Sequence, residues 1–212
     1  GNTRQITKAM QLVAASKMRR AQEADKASAP YTASAEELLA YLASQGVTDN
    51  HPLFVRRKIE KRLIIVIASD KGLAGAYNAN VFKKYLELLK RDDERGIENI
   101  TLTVGRKISQ FASRLKDTEV IGSYDDLPDQ PSGLTFHTIR DTAIGMYERG
   151  EVDAVTLIYT KFVSSITQVA DWQRLLPAGT AASSNPDSIS NTVADAKFEP
   201  SIPEVLDAVA NR

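Results

Sequence analysis

The chain has 212 residues, 42% of them hydrophobic, with 27 Lys/Arg against 27 Asp/Glu; that suffices for one globular domain with a proper core, or for a domain and an extended arm. It has no cysteine, which excludes disulfides, cysteine-ligated metal centres and a cysteine nucleophile, and no run reaches the ~18 consecutive apolar residues of a membrane span. The charge is uneven: residues 1–62 hold 11 Lys/Arg against 6 Asp/Glu and the remainder 16 against 21, so the N-terminal third suits either a solvated basic helix face or an acidic partner.

The opening "GNTRQITKAM" is polar and helix-like, unlike a signal peptide. Residues 3–45 predict one long helix, because the stretch lacks glycine and is rich in helix formers. Ile6, Met10 and Val13 draw an apolar seam at spacings of four and three. Beyond them the seam thins to alanines with Lys17, Arg19 and Arg20 between. Pro30 is expected to kink or end the helix, and "TASAEELLAYLASQG" resumes the helical pattern up to Gly46. At ~1.5 Å per residue, forty residues reach about 60 Å. A compact domain of this size does not need so long an internal helix, so part of it is expected to project and pack elsewhere.

From residue 63 the pattern changes. "LIIVIA" is a continuous apolar run, as in a parallel strand covered on both faces. "NVFKKYLELLKRDDERG" is an amphipathic helix, "NITLTVG" a strand, "RKISQFASRLK" a short helix, "TEVIG" a strand and "LTFHTIRDTAIGMYERG" a helix. "DAVTLIYT" is a fourth strand, and "SSITQVADWQRLLP" a fifth that follows too closely for a parallel crossover, so it should be antiparallel. Residues 177–200 are loop-like, and "SIPEVLDAVANR" opens another amphipathic helix. The expectation is an α/β, Rossmann-like three-layer domain on a mostly parallel five-stranded sheet with its last strand antiparallel. Long N- and C-terminal helices are expected to pair as an antiparallel coiled coil that continues beyond Arg212. The divisions are 1–60 (helix and lead-in), 61–200 (globular domain) and 201–212 (start of the C-terminal helix).

The turn after the first strand, "SDKGLAGAYNANVFKK", has the outline of a phosphate loop. It matches neither G-x-x-x-x-G-K-[ST] nor G-x-G-x-x-G, since Gly72 and Gly75 are separated by two residues. His51 sits in a lead-in and His137 in a helix, with no G-x-S-x-G elbow to complete a triad. "RDDERG" is expected to be a solvated helix end and "FVRRKIEKR" a solvated lead-in to the first strand; Trp172 is expected to pack on a sheet face. On these residues alone an α/β nucleotide- or small-molecule-binding domain and a nucleic-acid-binding basic helix both stay open.

"NTRQITKAMQLVAASKMRRAQ", "SDKGLAGAYNANVFKK" and "FEPSIPEVLDAV" closely resemble the N-terminal helix, the loop after the first strand and the start of the C-terminal helix of the gamma subunit of F-type ATP synthases. The family's loop is usually written S-[DS]-[RK]-G-L-C-G-x-x-N. The resemblance implies a bacterial-type rotor shaft with no catalytic group and no cofactor of its own. The implied partners are the alpha and beta subunits of the catalytic ring, the epsilon subunit and the membrane c-ring, without nucleic acid and without direct lipid insertion. The implied place is the cytoplasmic face of the plasma membrane. The family's beta subunits carry an acidic lever facing the shaft; by motif position Met10 and the cations Lys8, Lys17, Arg19 and Arg20 lie near it, and Lys71 holds the loop's basic position. Lys71 stands where many members have Arg, exchanging a bidentate fork for a point charge, and Ala74 replaces a frequent Cys.

Overall fold

The computed structural model describes residues 2–44, 46, 48, 51–127 and 133–178. The expected C-terminal helix and its pairing with the N-terminal one lie outside them. The chain divides into two compact units, with the boundary after Gly46.

The first unit is α1 (Asn2–Ser44), 43 residues long. It runs unbroken through Pro30 rather than ending there. Proline removes one i→i−4 bond and crowds the preceding turn. Hydroxyls bind carbonyls on either side of it: Ser28 Oγ donates to Asp25 O at 3.0 Å and Thr32 Oγ1 to Ser28 O at 3.2 Å. The seam residues Ile6, Met10 and Val13 are exposed.

In the second unit the elements are β1 (Lys61–Ile67), α2 (Tyr77–Asp93), β2 (Glu98–Val104), α3 (Arg106–Ala112), β3 (Glu119–Tyr124), α4 (Gly133–Glu148), β4 (Ala154–Ser164) and β5 (Thr167–Leu176). The sheet order is β3-β2-β1-β4-β5. β1 pairs in parallel with β2 and β4, and β2 with β3, while β5 is antiparallel to β4 as expected. The sheet grows from β1 to β3 and then returns to β4, so right-handed crossovers place α2 and α3 on one face and α4 on the other.

The α2 face is built from alternate residues of each strand. Ile64, Val66 and Ala68 of β1 and its exit meet Ile158 of β4, with Val81, Tyr85 and Leu88 of α2 and Ile108 and Ala112 of α3 above them. Trp172 packs against this cluster from β5, as expected of a sheet-face residue. The one phenol inside it, Tyr85, hydrogen-bonds Thr101 at 2.6 Å, which removes the cost of an unpaired buried hydroxyl.

Two expectations of solvated segments are corrected. The lead-in is anchored: Leu53 and Phe54 are buried, Arg57 donates to Tyr147 O at 2.6 Å and lies over its ring at 4.4 Å, and Tyr147 Oη donates to Val55 O at 2.6 Å. In "RDDERG", Asp92 is fully buried. It follows Val81, Tyr85 and Leu88 at spacings of four, three and four, so the helix period carries it onto the core stripe. Arg62 of β1 meets it there with a fork, Nε to Oδ2 at 2.5 Å and Nη2 to Oδ1 at 3.2 Å.

Candidate functional site

The glycine turn leaves β1 beside the carboxyl ends of β2 and β3, where ligands of open α/β sheets usually bind. Its first and last motif residues latch together. Ser69 N donates to Asn78 Oδ1 at 3.1 Å and Asn78 Nδ2 donates to Ser69 Oγ at 2.9 Å, closing the loop onto the start of α2. Ser69 Oγ donates in turn to Lys71 O at 2.5 Å.

Asp70 ties this loop to its two neighbours. Its Oδ1 accepts the amide N–H of Arg106 at 2.9 Å, at the head of α3, and that of Asp126 at 3.0 Å, just after β3. Lys107 N donates to Ser69 O at 3.0 Å, and Arg106 pairs with the Asp126 carboxylate. The backbone approaches closely here: Ala68 N donates to Val104 O at 2.9 Å, and Gly105 follows with φ +103°. The anion a phosphate would supply at the head of α3 is thus the chain's own carboxylate.

Burial is the largest influence on Asp70 and pushes its carboxyl up. The two amide donors, with Arg106 and Lys71 nearby, together outweigh it and hold the group below its ordinary range. A carboxylate depressed in the folded state stabilises above its unfolded pKa, and that stabilisation is lost as pH falls through the folded value. Asp70→Asn keeps the acceptor and removes the charge. It should cost about 1 kcal/mol at neutral pH, because charge-assisted bonds outweigh neutral ones by about that much. The difference in urea midpoint between the two proteins should shrink as pH is lowered below about 4; a gap independent of pH would refute the assignment.

Above this latched base, residues 71–76 are all exposed. Leu73 sits at the tip with φ +60° and its side chain 104% exposed. A non-glycine residue held left-handed with its apolar side chain in water is a locally unfavourable choice, of the kind that clusters at contact sites. Lys71 is on the same tip, and its charge reaches Asp70. Leu73 and Asp70 escaped the sequence reading. Leu73 lacks charge to draw attention, and the partners of Asp70 are backbone amides.

The five residues expected on the long helix are all on α1 and exposed. At ~100° per residue they divide between two faces. Met10 and Lys17, seven apart, share the side of Ile6 and Val13, with Arg20 at its edge. Lys8 and Arg19 fall on the opposite side with Arg4 and Lys26. They belong to the first unit and Lys71 to the second.

A depression of about 820 Å³ lies at the other end of the sheet, lined by Lys90, Asn99, Lys116, Asp117 and Glu119 among others. It adjoins the amino ends of β2 and β3, away from the glycine turn, and its mixed charges select no one ligand.

The family model described as ATP synthase matches residues 1–212. The chain is 35% identical over 212 residues to the "ATP synthase gamma chain" of Xanthomonas campestris, covering all of this chain and 72% of that one. It is 34% identical, with the same coverage, to that of Xylella fastidiosa. Among solved structures it is similar to the central stalk and c-ring assembly of the Tetrahymena thermophila mitochondrial ATP synthase, at TM-score 0.64 and 25% identity, covering 97% of this chain and 86% of that one.

Proposed function

Because the chain belongs to the ATP synthase gamma-chain family, we infer that it works as the rotor shaft of the central stalk, coupling ion-driven rotation to conformational change in the catalytic subunits. The chain is one subunit of that membrane-associated enzyme complex. The chemistry of ATP lies in the surrounding ring and not in this chain. The sheet domain faces the epsilon subunit and the c-ring, on the cytoplasmic side of the membrane. The shaft touches the beta subunits' acidic levers through Met10, Lys8, Lys17, Arg19 and Arg20 on α1 and through Lys71 on the loop.

The observation that supports the loop contact is its build: a base latched by Ser69, Asn78 and Asp70 beneath a tip that carries Lys71 and the strained, exposed Leu73. A contact that must push needs a stiff base, and one that must let go needs a weak tip. Exposed ion pairs of ~0–1 kcal/mol break and remake readily. The two faces of α1 suit the same task, since a shaft encircled by several beta subunits presents each face to a lever in turn.

In the assembled ATP synthase, Lys71→Glu exchanges attraction for repulsion of similar size. ATP-driven proton pumping per ATP hydrolysed should fall about threefold to tenfold, more at low salt than at high salt, while Lys71→Arg keeps it. Unchanged pumping at every salt concentration would remove Lys71 from the contact.

A further inference from the structure

The sheet face beneath α2 changes character along its length. Toward the glycine turn it is apolar; at the amino end of β1 it becomes basic. Arg62 Nη1 donates to Thr156 Oγ1 at 2.9 Å, and Thr156 pairs across β4 and β5 with Arg174. Directly opposed residues of antiparallel strands share a face, so Arg62 and Arg174 flank Thr156 on the same side. Two residues before Arg174, and so on that face too, Trp172 carries the guanidinium of Arg91 over its ring at 5.4 Å from the centroid. Arg56 approaches from the lead-in, near enough for its charge to act on Arg174.

Among the described residues, the charges that act most on Arg174 are three cations and one carboxylate. Asp92 is the carboxylate acting on Arg174, beside the like charges of Arg62, Arg91 and Arg56. Both oxygens of Asp92 are engaged by the Arg62 fork. Among the described residues the buried Nε of Arg174 has no hydrogen-bond partner, although an unpaired buried donor costs about 1–3 kcal/mol. Burial and the neighbouring arginines both push the pKa of Arg174 down, yet a guanidinium stays charged. The side chain is therefore held in a cationic cluster with a donor to spare.

We propose that Arg174, with Arg91 beside it, forms an oxyanion-binding site on the α2 face at the amino end of β1, for a carboxylate side chain or a phosphate. The forked guanidinium matches both anions in shape. The anion would satisfy Nε and offset the excess charge that Asp92 leaves. This assignment does not depend on the loop contact made by Lys71.

The chain has one tryptophan, and it borders the site. The full chain is titrated at constant ionic strength with inorganic phosphate, with acetate and with a short glutamate-rich peptide, reading Trp172 emission and the Arg174 Nε–H resonance. A saturable change is expected, weakened about tenfold or more in Arg174→Gln. Tighter binding of the peptide identifies a protein carboxylate as the occupant, and tighter binding of phosphate identifies the free ion. Should Arg174→Gln fail to fold, Arg91→Gln replaces an exposed side chain and is expected to weaken binding in the same direction. The absence of saturation with all three anions would overturn the proposal, as would identical curves in parent and variant.

Discussion

Replacing Asp92 by alanine is expected to cost the sheet unit about 3–5 kcal/mol, read as a lower urea midpoint by Trp172 emission with little change in slope. Arg62 and Asp92 are 4% and 0% exposed, so removing the carboxylate strands a guanidinium that water does not reach. The loss is aggravated by its neighbours, since Asp92 is what offsets Arg62 against Arg174. Domains hold together by only about 5–15 kcal/mol, which leaves Asp92→Ala marginal. Removing both charges together as Arg62→Leu/Asp92→Leu should recover most of the loss, because well-packed apolar pairs replace buried ion pairs at little cost. A penalty near 1 kcal/mol for Asp92→Ala would mean that the pair is hydrated in solution, contrary to the geometry.

Asp92 also shows where sequence reading works and where it stops. Its position on the core stripe is legible from its spacing after Val81, Tyr85 and Leu88. The charges around it suggest a solvated helix end, and its countercharge is 30 residues away on β1. The strand directions behave in the opposite way. A continuous apolar run at "LIIVIA" requires cover on both faces, and a link of only a few residues between the fourth and fifth strands excludes a crossover, so local constraints alone predict a mixed α/β sheet. Asp70 was not legible at all: its partners are amides 36 and 56 residues away, and every residue but proline carries an amide. Pro30 fails for a related reason. A local rule predicts a kink or an end, but a helix of this length continues past the loss of one i→i−4 bond. The motif's meaning as a latch lies in the contact between Ser69 and Asn78, nine residues apart, which spacing alone does not announce.

The second large effect is expected at Gly105. A Cβ placed there would lie 2.1 Å from Ala68 O, 2.8 Å from Ala68 C and 3.3 Å from Ser69 C, all of them backbone atoms that no rotamer change can move aside. Its φ of +103° adds strain of order 1–3 kcal/mol for any L side chain. Relieving the clash means parting β1 from the β2 turn. That strains the Ala68–Val104 and Lys107–Ser69 hydrogen bonds, each about 1 kcal/mol. Gly105→Ala should therefore cost about 4 kcal/mol in urea unfolding. Gly75 is the control, because its φ is also positive, at +55°, but a Cβ there meets nothing within 4 Å. Gly75→Ala should cost only about 1 kcal/mol. One glycine lies in the loop's tip and the other in the turn beneath it, and they serve different ends. Gly105 lets the β2 turn come near enough for Asp70 to grip Arg106 N, whereas Gly75 merely bends the tip. In the assembled enzyme, at a temperature where both variants stay folded, Gly105→Ala should lower pumping per ATP by loosening the base under Lys71, and Gly75→Ala should leave it near the parent value. Equal stability costs at the two sites would mean that the close approach of β1 and the β2 turn does not constrain the loop. Equal pumping despite unequal stability would mean that force does not pass through its base.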